Sequence, residues 1–87
     1  MVSKNIILAL KDGLHARPAS EIIQHLKNYK SNVKMQYGER TANCKSIISL
    51  LALGAKANSE IEVIVEGENE NEELASFVAF LKNLEKH

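Results

Sequence analysis

Glu60-Ile61-Glu62-Val63-Ile64-Val65-Glu66-Gly67 is the stretch that decides the fold. Ile61, Val63 and Val65 alternate with Glu60, Glu62 and Glu66, and Gly67 ends the run. One face of this extended segment is apolar and the other acidic, which predicts a strand in a sheet covered on one side only. Upstream, Asn5 to Leu10 keeps the same two-residue period through Ile6, Leu8 and Leu10, and Lys11-Asp12-Gly13 closes it with a turn. Val33, Met35 and Tyr37 alternate once more, and Gly38-Glu39 reverses the chain into a short strand from Arg40 to about Asn43. These two form a hairpin.

Between the strands the period changes to that of a helix. Ala19, Ile22, Ile23 and Leu26 lie on one face of a segment from Ala16 to about Asn28, with Pro18 near its start, where a missing N–H costs nothing. Ser46 precedes the apolar segment Ile47 to Leu53, and Gly54 stops it; serine before a helix and glycine after it are its usual punctuation. From about Asn69 to Leu84, Leu74, Phe77, Val78, Leu81 and Leu84 form one stripe. Acids fall in its first turns, with Lys82 and Lys86 late, as the helix dipole favours.

The order is therefore βαββαβα. A right-handed helical crossover between the first two strands leaves room for the fourth between them, which predicts strand order 1-4-2-3, antiparallel throughout. The expected fold is α+β, a two-layer open-faced sandwich with a four-stranded antiparallel sheet and three helices on one face. No internal repeat, low-complexity linker or composition break divides the chain, so residues 1–87 read as one domain.

With 45% hydrophobic residues, 87 residues can build a modest core. Cys44 is the only thiol, which rules out an internal disulfide, and it reads as a small, partly buried hydrophobe. The longest apolar run, Ile47 to Ala55, is far shorter than a bilayer span, and the N-terminus lacks a secretory pattern. A cytoplasmic protein without membrane insertion is expected. The net charge is zero but unevenly spread: residues 1–45 carry eight Lys or Arg against three acids, a net +5, and residues 46–87 three Lys against eight Glu, a net −5. Such a balance argues against nucleic acid as the main ligand, and no strand shows the exposed aromatic pair that base stacking needs. The basic half suits an acidic protein partner.

Chemistry concentrates in Gly13-Leu14-His15-Ala16-Arg17-Pro18-Ala19-Ser20, between the first strand and the first helix. With His15 at or just before the helix N-terminus, the unpaired N–H groups of Ala16 and Arg17 point toward the imidazole and form an anion site together with the dipole. Arg17 adds a permanent positive charge with donors suited to phosphate oxygens. A phosphorylated imidazole nitrogen is a good leaving group, so a phosphoryl group held there moves on readily. Phosphoryl transfer asks mainly for positioning and charge, which a small chain without a metal cluster or nucleotide loop can supply.

The run Gly13 to Ala19 resembles the active-site segment of the histidine-containing phosphocarrier family, HPr, of the bacterial phosphoenolpyruvate-dependent sugar phosphotransferase system. Asn43-Cys44-Lys45-Ser46-Ile47-Ile48, followed by Leu53-Gly54, resembles the regulatory-serine region of the same family. The element order and length are similar from end to end. The resemblance implies a phosphoryl carrier, not an enzyme in its own right and with no cofactor. On this basis His15 accepts the phosphoryl group at Nδ1 from phosphorylated enzyme I and gives it to IIA domains of sugar permeases, with Arg17 stabilising it. It also implies regulatory phosphorylation of Ser46 by an ATP-dependent kinase/phosphorylase, with a catabolite-control transcription regulator as a further partner. Nitrogen-branch paralogues of the family, or a purely regulatory protein-binding module of the same fold, are the alternatives; Pro18 and the Ser46 region favour the sugar branch. Cys44 stands where the family usually has an aliphatic residue, and Ala57-Asn58 where it has a Lys-Gly turn, which asparagine can still form.

The helix after Ser46 is apolar nearly all round, more than a helix packed on one side requires. On a 100° wheel Leu50 and Leu53 turn to the core, leaving Ile47, Ile48 and Leu51 as an expected docking patch, with Ser20 on the first helix beside it and Arg17 and Lys45 as a basic rim. Serine at position 46 also reads as a plain helix cap. His25 lies ten residues beyond His15 on the same helix, too far to share a metal with it, and reads as a surface residue; His87 is terminal. No metal site is expected, and the glutamates of 66–73 read as a solvated loop and helix start.

Overall fold

Ile61, Val63 and Val65 are fully buried in a central strand, and the apolar faces of its two neighbours meet them in register. In the computed structural model, which describes residues 1–84, the elements are β1 (Val2–Leu8), α1 (Ala16–His25), β2 (Asn32–Tyr37), β3 (Arg40–Asn43), α2 (Ile47–Leu53), β4 (Ser59–Glu66) and α3 (Glu70–Leu84), with a 3-10 turn (Leu26–Asn28) after α1. Lys86 and His87 lie outside the described residues. The sheet order is β1-β4-β2-β3, antiparallel throughout, as the alternation and the crossover argument predict.

Register follows burial. Val2 pairs with Val65 and Ile6 with Ile61 on one side of β4, and Val33 pairs with Val65 and Met35 with Val63 on the other. Each pair sets apolar side chains on the helix-covered face, where a slip of one residue would turn the whole set into solvent. Phe77 and Leu81 of α3, Ile22 of α1 and Leu50 and Leu53 of α2 close over this face, all buried. Phe77 sits at the centre with no exposed surface.

Several boundaries differ from the sequence-based expectation for local reasons. β1 begins at Val2 and ends at Leu8, not Leu10, because the Leu10 carbonyl turns away to accept Gly13 N–H at 3.0 Å. Leu10 keeps its inward side chain without belonging to the strand. The α-helix of α1 ends at His25, and the chain tightens into the 3-10 turn, with Tyr29 N–H bonded to Leu26 O at 3.0 Å. Ile23, expected in the core, is half-buried. Asn58 adopts φ 61°, the left-handed conformation expected of the Ala57-Asn58 turn, and its N–H donates to Leu8 O at 2.8 Å.

Two of the glutamates expected to be merely solvated act as ties. Glu70 accepts the Met1 ammonium at 3.0 Å and Gly67 N–H at 3.2 Å. Glu73 accepts the N–H groups of Lys30 (3.1 Å) and Ser31 (3.0 Å), fastening the chain ahead of β2 to the first turn of α3. Cys44 is wholly buried, more than expected, and burial pushes its thiol up to about 12. None of the helices among the described residues is long and apolar enough to cross a membrane.

Candidate functional site

The loop between β1 and α1 is held by its backbone. Gly13 takes φ +74°, a conformation that L side chains rarely adopt, and packs so closely that a Cβ there would lie 2.6 Å from Ala55 O. Leu14, buried, donates its N–H to the same carbonyl at 2.9 Å. The segment after α2 therefore clamps the residues that lead into His15. His15 N–H then bonds to Gly13 O at 3.1 Å.

His15 is the N-cap of α1, with extended backbone (φ −105°, ψ −170°), and its carbonyl accepts Ala19 N–H at 3.1 Å. Its imidazole makes no capping bond and is exposed, unlike the serine or aspartate usual at such a position. Ala16 and Arg17 N–H have no acceptor among the described residues, and Pro18 has no N–H to offer. The first turn thus presents two open donors at the positive end of the helix, with the Arg17 side chain beside them. A cleft of ≈ 190 Å³ opens at this point, lined by His15, by the apolar Leu10, Pro18 and Leu84, and by Lys11, Asp12, Arg17 and Glu21. An anion covalently attached to the ring would meet backbone donors and a guanidinium, the set needed to hold a phosphoryl group.

Ser46 caps α2: its Oγ accepts Ser49 N–H at 3.3 Å and its carbonyl accepts Leu50 N–H at 3.1 Å. Gly54, at φ 67°, ends the helix in the left-handed conformation. The wheel argument for α2 agrees with burial. Leu50 and Leu53 are buried, whereas Ile47, Ile48 and Leu51 are 37%, 77% and 42% exposed, an unusual density of apolar surface on seven residues. Ser20 is exposed on α1 and lines an open groove of ≈ 430 Å³ with Gln24, His25 and Phe80. Lys45 is exposed, but its Nζ donates to Tyr29 O at 2.9 Å, so it is an anchored cation and not a freely swinging one.

His25 corrects the expectation of a plain surface residue. Its ring stacks on Phe80 with centroids 4.0 Å apart and planes 5° from parallel, and Nε2 lies 2.8 Å from Tyr29 Oη. Burial holds its pKa below the ordinary value. The spacing His25 to Tyr29 was visible in the sequence, but its pairing with α3 needed the tertiary fold. Among the described residues no three His, Cys, Asp or Glu stand together as metal ligands.

Comparison with known proteins agrees with this geometry. Residues 2–83 match the family described as the PTS HPr component phosphorylation site. The chain is 34% identical over 82 residues to the HPr-like protein Crh of Halalkalibacterium halodurans, covering 94% of this chain and 98% of that one. It is 28% identical over 85 residues to the phosphocarrier protein HPr of Haemophilus influenzae, covering 98% and 100%. Its fold superposes with a TM-score of 0.91 on HPr-C-His from Thermoanaerobacter tengcongensis, at 26% identity, covering 100% of this chain and 98% of the other. With a free histidine heading α1, a serine-capped α2 and a family match over nearly the full chain, the protein belongs to the HPr family of phosphocarriers.

Proposed function

We infer that this chain is the general carrier of a sugar phosphotransferase system: His15 accepts a phosphoryl group from phosphorylated enzyme I and passes it to IIA domains of sugar permeases. The observation that carries this reading is the unencumbered His15 imidazole at the N-cap of α1, next to the open N–H groups of Ala16 and Arg17 and the Arg17 side chain. A module that only bound partners would have no use for a free nucleophile at an anion site. In the transfer, the lone pair of His15 Nδ1 forms the new P–N bond as the donor's P–N bond breaks and its electron pair returns to the donor nitrogen. His15 releases its other ring proton to water, and the departing donor ring takes one up. Arg17 and the two backbone donors stabilise the charge on the moving group without themselves being altered.

Ile47, Ile48 and Leu51 serve as the docking patch, with Ser20 of α1 as a further docking residue. Ser46 is a regulatory phosphorylation site at the edge of that patch, where an added charge of about −1.5 to −2 meets the positive helix end yet repels an acidic partner. Its kinase/phosphorylase and a catabolite-control regulator are the corresponding partners. The similarity to HPr-like Crh proteins favours a second reading, a purely regulatory protein-binding module of the same fold. Incubation with enzyme I and phosphoenolpyruvate, followed by intact-mass measurement, separates the two. One acid-labile, alkali-stable phosphate is expected, lost in His15→Ala and gained more slowly in Arg17→Ala. A His15→Ala protein that still gained phosphate from enzyme I would overturn the carrier reading.

A further inference from the structure

The cleft beside His15 holds as many negative as positive side chains. Lys11 and Arg17 line it together with Asp12 and Glu21. If the site were built only to retain a phosphoryl group, two carboxylates would be the wrong choice, because each repels a group that carries about two negative charges. Neither carboxylate is neutralised by a partner: the one ion pair among the described residues joins Met1 to Glu70.

The two acids are not equivalent. Glu21 stands one helical turn beyond Arg17, where its longer side chain can swing toward the guanidinium or away from it. Asp12 has no such freedom in its backbone. It occupies the centre of the turn closed by the bond from Gly13 N–H to Leu10 O at 3.0 Å. That turn is wedged against Ala55 by Gly13 and tied there by Leu14 N–H. The backbone that carries the short, exposed Asp12 side chain is therefore held, and its carboxylate lines the same cleft as His15, a space of ≈ 190 Å³ that is small against the screening length of about 10 Å at 0.1 M salt.

We propose that Asp12 raises the phosphoryl-transfer potential of this carrier: fixed beside His15, its carboxylate repels the attached phosphoryl group and favours handing it on. The proposal rests on His15 being the phosphoacceptor. Asp12 makes and breaks no bond in the transfer, in which one P–N bond replaces another, and it acts through charge alone. Its effect therefore depends on ionic strength and on the sign of the side chain, whereas a purely structural role would depend on neither.

The test compares isotope-labelled wild type with Asp12→Asn and Asp12→Glu in one tube. The donor is N-phosphoimidazole in excess imidazole, too small to dock, so exchange onto His15 needs no partner protein. Intact-mass spectra give the ratio of phosphorylated to free protein for each variant once the ratios are constant. At about 0.05 M salt the ratio for Asp12→Asn should exceed that of wild type about fivefold, falling toward equality near 1 M salt, with Asp12→Glu close to wild type. A difference below twofold at low salt, or one that salt does not change, overturns the proposal and leaves the carrier reading intact. Failure of His15 to take phosphate from either N-phosphoimidazole or enzyme I overturns both.

Discussion

Replacing Gly13 with alanine tests how the site is held. The added Cβ meets Ala55 O at 2.6 Å and the backbone of Ala57 and Lys56 at 3.2 Å, so no flexible side chain can yield and the backbone itself must shift. The φ of +74° costs a non-glycine residue about 1–2 kcal/mol. Moving Ala55 O by the several tenths of an ångström required stretches its 2.9 Å bond from Leu14, which is worth about 1 kcal/mol more. The expected total is about 2–3 kcal/mol, a large share of the stability of a domain this size. It corresponds to a fall in melting temperature of roughly 8–24 °C. Urea unfolding followed by circular dichroism should show a lower midpoint with an unchanged slope. The folded fraction should also accept phosphate more slowly, because the loop that aims His15 has moved. A loss below about 1 kcal/mol would show that the clamp at Ala55 is not what fixes this loop.

Three further outcomes follow from other parts of the molecule. Ile48→Asp and Leu51→Asp should raise the KM for enzyme I roughly tenfold while changing stability by less than about 0.5 kcal/mol, and marked unfolding would place these side chains in the core. Ser46→Asp should retain its melting temperature to within a few degrees, since aspartate also caps helices, yet accept phosphate from enzyme I much more slowly; unchanged kinetics would reduce Ser46 to a cap. For Glu73, burial pushes the carboxyl up, but bonds from Ser31 and Lys30 and the Lys45 charge outweigh this and hold it below the ordinary value. A lowered native value means stability that is present above the unfolded value of about 4.3 and lost as pH falls through the native one. Glu73→Gln should thus lower the urea midpoint at pH 7 and differ less from wild type near about pH 3, and an equal gap at both would dismiss the carboxylate.

What the sequence disclosed and what it withheld divide along local and long-range contacts. Ile61, Val63 and Val65 revealed both a strand and its covered face, because a two-residue period has one structural meaning when acids fill the alternate positions. Ile47, Ile48 and Leu51 could be assigned outward since Leu50 and Leu53 already accounted for the inward side of so short a helix. His15 stands out as a candidate in the sequence through its neighbours, since Pro18 marks a helix start and Arg17 offers donors suited to phosphate. Glu73 was not legible, as its partners Lys30 and Ser31 lie more than 40 residues earlier and offer only backbone N–H groups, which leave no mark on sequence. His25 departs from its surface reading for the same reason: the stack on Phe80 joins two helices whose facing sides no local period reveals. Asp12 and Glu21 line one cleft with His15 because the turn after β1 sets Asp12 beside the start of α1, a placement that no local period reveals.

The pairing of Val2 with Val65 has a bearing on how the protein is made. As the chain leaves the ribosome, the hairpin of β2 and β3 can form at once, since its partners are neighbours in sequence. β1 must wait, with its apolar side unprotected, until residues 59–66 have emerged to pair with it. The same delay applies to His15, because Ala55, which holds its loop, is synthesised 40 residues later. His15 therefore leaves the ribosome before the segment that holds its loop has emerged, and its setting at the head of α1 is completed only once Ala55 folds back onto Gly13 and Leu14.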